Sequence, residues 1–307
     1  MIDNKSAVWA KAQLLHYGIL LTDEAKKELS GGEYLEKRRV YSNYDDEDFF
    51  CGDVPPELFF TDSKYPVTAI YKKDSPWLIC YEHGKFYMKS HLFPDYRKEI
   101  LFQKKPAFYG MKLSNGECVE SYVTKLFGHS LGVFASTNCY FAEADKVCKF
   151  CSIKANQGRP NDACKRVNIY MLLEAIEIAL ECDKEIDDIF ISGGVINKDF
   201  DRNFLWYSGI AKAVKEKLIS MDKNTEVTLN TYPPCDLDLI ECLRDSNIAV
   251  MLSLETVDTQ LREKICPGKS VLFASHGVDN LFKRFVDVVG KGRVLAFVIE
   301  GIEDEEE

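Results

Sequence analysis

From Ser130 to Ile299 the chain alternates short β-forming runs with amphipathic helical stripes, and few folds satisfy that pattern. Leu131–Ala135, Asp188–Ser192, Glu226–Thr231, Ala249–Leu254 and Val294–Ile299 read as buried strands. Between the first two, Asn168 is placed to cap a helix whose stripe is Ile169, Leu172, Leu173, Ile176 and Leu180. Ile210, Ala213, Val214 and Leu218 mark a second helix, and Leu239, Ile240 and Leu243 a short one beginning near Asp236. Val278, Leu281, Phe282, Phe285 and Val289 mark a further helix closed by Gly290. Repeated strand–helix units imply parallel strands joined by right-handed crossovers, an α/β architecture. In a parallel barrel the functional residues collect where the strands end, at their carboxyl side.

The first of these strands runs into STNCYFAEADKVCKFCS, Ser136 to Ser152, which places Cys139, Cys148 and Cys151 in a C-x8-C-x2-C spacing. Two thiolates two residues apart can share one metal centre, and the longer gap lets a third arrive from another side. Three thiolates suit zinc with a fourth ligand, or a four-iron cluster with one iron left open, and spacing alone leans to zinc or to no metal. Ser192-Gly193-Gly194 closes the second strand, Asn230 lies near the end of the third, and Ser253-Leu254-Glu255 ends the fourth with Ser253 and Glu255 on one side. Taken singly, a Gly-Gly is an ordinary turn and a strand-end Glu is solvated. Cys266, Cys164, Cys182, Cys235 and Cys242 read as reduced structural thiols, and with no second C-x2-C pair an auxiliary cluster is not expected.

On the three cysteines, with Phe150 just before the last of them, the chain resembles the radical S-adenosylmethionine (radical SAM) superfamily. Its members carry a three-cysteine motif, usually C-x3-C-x2-C, after the first strand of a partial (β/α) TIM-like barrel. The longer first gap leaves the subfamily unassigned. The resemblance covers roughly residues 130 to 303 and implies a [4Fe-4S] cluster on Cys139, Cys148 and Cys151, with S-adenosyl-L-methionine (AdoMet) chelating the fourth iron. By the same resemblance Ser192, Gly193 and Gly194 meet the methionyl amino group, although Val195 stands where an acid is often found. Glu255, helped by Ser253, accepts from the ribose hydroxyls, and the segment containing Gly301 packs on the adenine. Asn230 faces the substrate or the AdoMet carboxylate. Arg262 either anchors that carboxylate or caps a helix. The implied activity is reductive cleavage of AdoMet to a 5′-deoxyadenosyl radical that abstracts hydrogen from a substrate, with flavodoxin or ferredoxin as electron donor. The substrate, a small molecule or a peptide, is not identified, and cofactor or metabolite biosynthesis is the expected setting.

Five βα units are visible where the superfamily barrel has six, so the last unit is expected to be missing, and the acidic end Glu303–Glu307 is expected to be solvated. Residues 128–307 are assigned to the barrel. Residues 1–127 are assigned to a small α+β region of unknown role, with one helix over Ala7–Leu29 stopped by Ser30-Gly31-Gly32. Strands follow at Val67–Tyr71, Trp77–Tyr81 and Phe86–Lys89, with a tight turn at His83-Gly84 and another at Asn115-Gly116. His83 and His91 read as surface or structural residues.

Composition closes off other classes. A chain of 307 residues with net charge −10 lacks the basic face that nonspecific nucleic-acid or anionic-membrane binding needs. No apolar stretch reaches the about eighteen residues of a membrane span, and the first residues do not read as a secretory signal. Eleven cysteines, an odd number, then read as reduced thiols plus a metal site in the cytoplasm. Two other readings use the same residues. One is a structural zinc site of Cys139, Cys148, Cys151 and Cys164 in a binding module, and the other an eroded barrel that binds AdoMet without radical chemistry.

Overall fold

The computed structural model describes residues 6–35, 55, 57–63, 66–151, 153, 166–299 and 301–302. Cys164 and the acidic end from Glu303 lie outside them. The chain divides into two compact units, Met1–Ala107 and Phe108–Glu307. The division falls before residue 127 because Phe108, Leu113, Val119, Tyr122 and Val123 are buried in the core of the second unit.

In the first unit six strands form one sheet: β1 (Leu20–Leu21), β2 (Glu57–Phe60), β3 (Pro66–Thr68), β4 (Trp77–Glu82), β5 (Lys85–Ser90) and β6 (Arg97–Phe102). Their order is β1-β4-β5-β6-β2-β3. The turn between β4 and β5 uses His83 at φ 51° and Gly84 at φ 79°, the left-handed pair of a tight hairpin. The single helix expected over Ala7–Leu29 is two helices, Ala7–Tyr17 and Asp23–Leu29. Gly18, at φ 71°, ends the first, and a Cβ there would meet the Ile70 carbonyl at 2.6 Å. Leu20 and Leu21 then pair with Leu78 and Ile79 of β4, so sheet pairing overrides helix propensity.

The second unit holds β7 (Val123–Leu126), β8 (Ser130–Ser136), β9 (Asp188–Gly193), β10 (Glu226–Thr231), β11 (Ala249–Glu255) and β12 (Val294–Val298), in the order β12-β11-β10-β9-β8-β7. From β8 to β12 every pairing is parallel, while β7 is an antiparallel hairpin partner of β8 that the sequence reading missed. Strand order follows chain order without reversal, as in a singly wound barrel and unlike a doubly wound sheet. The crossovers carry helices Ile169–Cys182, Phe200–Ser220 and Val278–Val289, with the 3-10 helix Leu237–Leu243 where a short helix was expected. Asn168 and Asp199 cap the first two by accepting from Tyr170 N and Arg202 N, each at 3.0 Å.

One face of the sheet packs Val133, Ile191, Leu229 and Leu252 with Ile176, Val214 and Phe285 of the helices in a single core. The registers set Phe190 and Ser192, Thr228 and Asn230, Met251 and Ser253, and Leu295 and Phe297 on the opposite face. The strands β9 and β12 would stand about 14 Å apart in a flat sheet at roughly 4.8 Å per strand. The rings of Phe190 and Phe297 are nevertheless 6.3 Å apart, so this face is concave. Among the described residues no helix is long and apolar enough to cross a membrane.

Asp188, at the start of β9, accepts from the Thr228 hydroxyl at 2.9 Å, and burial holds its carboxyl above the ordinary value of 3.8. The folded chain therefore keeps this proton more tightly than the unfolded chain, and stability falls as pH rises past 3.8. Asp188→Asn should raise the urea midpoint at pH 7, with the gain vanishing below pH 3.8; an equal gain at both pH values would contradict the cause.

Candidate functional site

The cysteine loop leaves β8 and is seated at once on the end of β9. Gly194 N donates to Ser136 O at 3.0 Å and Tyr140 N to Val195 O at 2.6 Å, so the loop continues the sheet edge for a few residues. A Cβ on Gly194 would overlap the Asn138 carbonyl, and one on Gly193 would lie 2.8 Å from Ser136 N. The glycines let the loop approach, a packing role that stands beside the ligand contact expected of them. The Gly194 carbonyl accepts from the hydroxyl of buried Tyr207 at 2.7 Å.

Cys139 is buried with Phe141, Ala142, Val195 and Leu272, while Cys148 and Cys151 are half-buried. Burial, and after it the charges of these three thiols, push the phenol of Tyr232 well up. Burial likewise raises the Cys139 and Cys151 thiols. The neighbouring thiol of Cys266 raises that of Cys148, with burial the second cause, and is itself lowered. Cys266 is thus a fourth thiol against the loop, fully buried, as its structural reading had it.

Ser192, Asn230 and Ser253 are joined across three strands. Asn230 Nδ2 donates to Ser192 Oγ at 3.3 Å, and Ser253 Oγ donates to Asn230 Oδ1 at 2.8 Å. Glu255 ends β11 at φ 70°, beside a register shift against β12 that breaks the expected alternation with Ser253. A left-handed non-glycine residue costs about 1–3 kcal/mol and persists where its surroundings fix it. What fixes Glu255 is a buried ion pair with Lys269, whose Nζ also donates to Ser253 O at 3.3 Å. The same ammonium stands 5.6 Å from the ring centres of both Phe150 and Tyr232. Lys269 and Tyr232 were missed in the sequence. The run Cys266-Pro267-Gly268-Lys269, with proline opening a helix, was the available signal.

Arg262 is buried and donates through Nε and Nη2 to Thr256 O, at 3.0 and 2.6 Å, which ties the helix Thr259–Ile265 to the turn that precedes it and caps no helix end. Gly301 lies in an open turn at φ 81° after β12.

Thiols are soft donors suited to zinc or to an iron–sulfur cluster. Zinc bonded at about 2.3 Å would need its thiolates within roughly 4 Å of one another. Among the described residues no three His, Cys, Asp or Glu side chains are grouped closely enough to hold a metal ion. As a donor set, the three thiols of Cys139, Cys148 and Cys151 have the chemistry that suits an iron–sulfur cluster.

Parallel strands in chain order, with a cysteine loop and a polar line at their carboxyl ends, define the class: an α/β protein with its candidate site at the mouth of a curled sheet. No protein-family model matches the chain, and no curated protein matches it. Among solved structures it is similar to a radical SAM methyltransferase from Sphaerobacter thermophilus, at 15% identity and a TM-score of 0.41, over 75% of this chain and 61% of that one. It is also similar to an uncharacterized protein at 13% identity and a TM-score of 0.29, over 47% and 44%. Similarities this loose do not establish a shared fold.

The seating of the loop is directly testable. Gly194→Ala should destabilise the chain by about 1–3 kcal/mol in urea denaturation, as an overpacked site does. Gly209→Ala, in open space on the helix Phe200–Ser220, should be neutral or stabilise by up to about 1 kcal/mol. A Gly194→Ala chain as stable as the parent would contradict the packing.

Proposed function

We propose that the second unit is a radical SAM enzyme that generates a 5′-deoxyadenosyl radical from AdoMet and abstracts hydrogen from a substrate held at the sheet's concave mouth. What supports this reading is the Ser192–Asn230–Ser253 line and the Glu255–Lys269 pair at the carboxyl ends of consecutive parallel strands, with the cysteine-bearing loop seated on the end of β9. Any one of these is commonplace, but their order along the strands matches the order the sequence resemblance requires.

In this reading Cys139, Cys148 and Cys151 would hold a [4Fe-4S] cluster with one iron left for AdoMet. When bound, that cluster supplies the electron, delivered by a donor such as flavodoxin or ferredoxin, that cleaves the sulfur–C5′ bond. The chain's own residues bind and orient. Glu255 offers a carboxylate oxygen to the ribose hydroxyls, fixed in place by Lys269. Ser192, Asn230 and Ser253 present hydroxyl and amide groups whose directions are set by their bonds to one another. Phe150 and Tyr232 supply ring faces beside the cysteines, and the Gly193–Gly194 backbone brings the end of β9 against the loop. The substrate, a small molecule or a peptide, would enter from the concave face.

The test is anaerobic reconstitution with iron and sulfide, then AdoMet and dithionite, with assay of 5′-deoxyadenosine. The parent chain should produce it, and Cys148→Ala should lose both iron and product. A colourless chain carrying one tight zinc, or a Cys148→Ala chain that keeps full activity, would contradict the assignment.

A further inference from the structure

Lys269 is an unusual residue for its place. It stands in the first turn of the helix Pro267–Ala274, where the helix dipole disfavours a cation, and it is almost fully buried, 3% exposed. Burying an ammonium costs several kcal/mol unless pairing repays it, so neither helix stability nor solubility accounts for a lysine there. Its helix is also fixed against the cysteine loop: Gly268 is packed on the Phe141 ring, Gly268 N donates to Lys146 O at 3.3 Å, and Lys149 N donates to Ile265 O at 2.8 Å. The helix that carries the lysine is therefore packed directly on the loop that carries the cysteines.

The groups around that ammonium are of two kinds. Glu255 pairs with it directly, and the Phe150 and Tyr232 rings turn their faces to it. Phe150 is flanked in the chain by Cys148 and Cys151, so its ring sets the ammonium beside the cysteine loop, where its charge pulls down on the thiols of Cys148, Cys151 and Cys266. Cys148 and Cys151 are two of the three proposed cluster ligands, and at both the lysine outweighs its partner Glu255, so neutralising the lysine would leave these thiolates without their nearest opposing charge.

Resting on the function proposed above, we infer that Lys269 is a positioning residue: the internal cation that offsets the cysteine thiolates and so eases one-electron reduction of a cluster held by them. Its effect is electrostatic, acts through space, and needs the charge rather than the shape of lysine.

The test uses the reconstituted full chain without AdoMet, titrated with dithionite and followed by electron paramagnetic resonance. Lys269→Met should lower the ratio of reduced to oxidised cluster at a fixed potential about tenfold, a midpoint about 59 mV more negative. Lys269→Arg should restore it. Because Lys269→Met leaves Glu255 as a buried unpaired charge, the double variant Lys269→Met/Glu255→Gln removes both charges and spares the fold. It should keep part of the negative shift, since the thiolates still lack their cation. A parent-like midpoint in Lys269→Met, or a full return to it in the double variant, would overturn the inference while leaving the proposed function standing. A parent chain that takes up no iron would overturn both.

Discussion

The site depends on how closely the cysteine loop can approach the end of β9. Two glycines make that approach possible, and two backbone bonds, Gly194 N to Ser136 O and Tyr140 N to Val195 O, hold it. The loop is long for its task, and without this seat its cysteines would be distributed over a flexible excursion whose ordering would cost conformational entropy at every residue. The cost is met by strand-like backbone pairing and Gly268 packing on Phe141 at one end, and by Lys149 N donating to Ile265 O toward the other. Tyr207, reaching from the helix Phe200–Ser220 to the Gly194 carbonyl, ties the same turn to the core.

Charge is the second constraint. The mouth of the sheet carries a buried carboxylate, a buried ammonium and several thiols, a combination that is destabilising unless the groups answer one another. Glu255 is held in a left-handed backbone conformation by its pairing with Lys269, which in turn faces aromatic rings and the cysteine loop. Such strain and buried charge cluster at functional sites because a fold built for stability alone would replace them with apolar residues.

Much of the second unit was legible in the sequence. The five parallel strands stand within a residue or two of their expected bounds, and the cap Asn168 was readable because capping is local chemistry. The residues Ser192, Asn230 and Ser253 were chosen by strand position, and parallel register placed them side by side. What stayed hidden depended on long-range pairing. β1 interrupts an apparently continuous helix through bonds to β4, and β7 belongs to the second unit through its pairing with β8. Lys269 was hidden because its partner is fourteen residues away on another element, and no local pattern distinguishes a buried lysine from a solvated one. The packing role of the glycines was not legible, since the atoms that exclude a Cβ come from Tyr207, Ser136 and Asn138.

The most direct measurement of the central claim is metal analysis joined to electron paramagnetic resonance of the anaerobically reconstituted, dithionite-reduced chain, before and after AdoMet. The account predicts roughly four irons and as much sulfide per chain, with a signal whose shape changes when AdoMet occupies the open iron. Zinc in place of iron and sulfide, or a cluster signal indifferent to AdoMet, would contradict it.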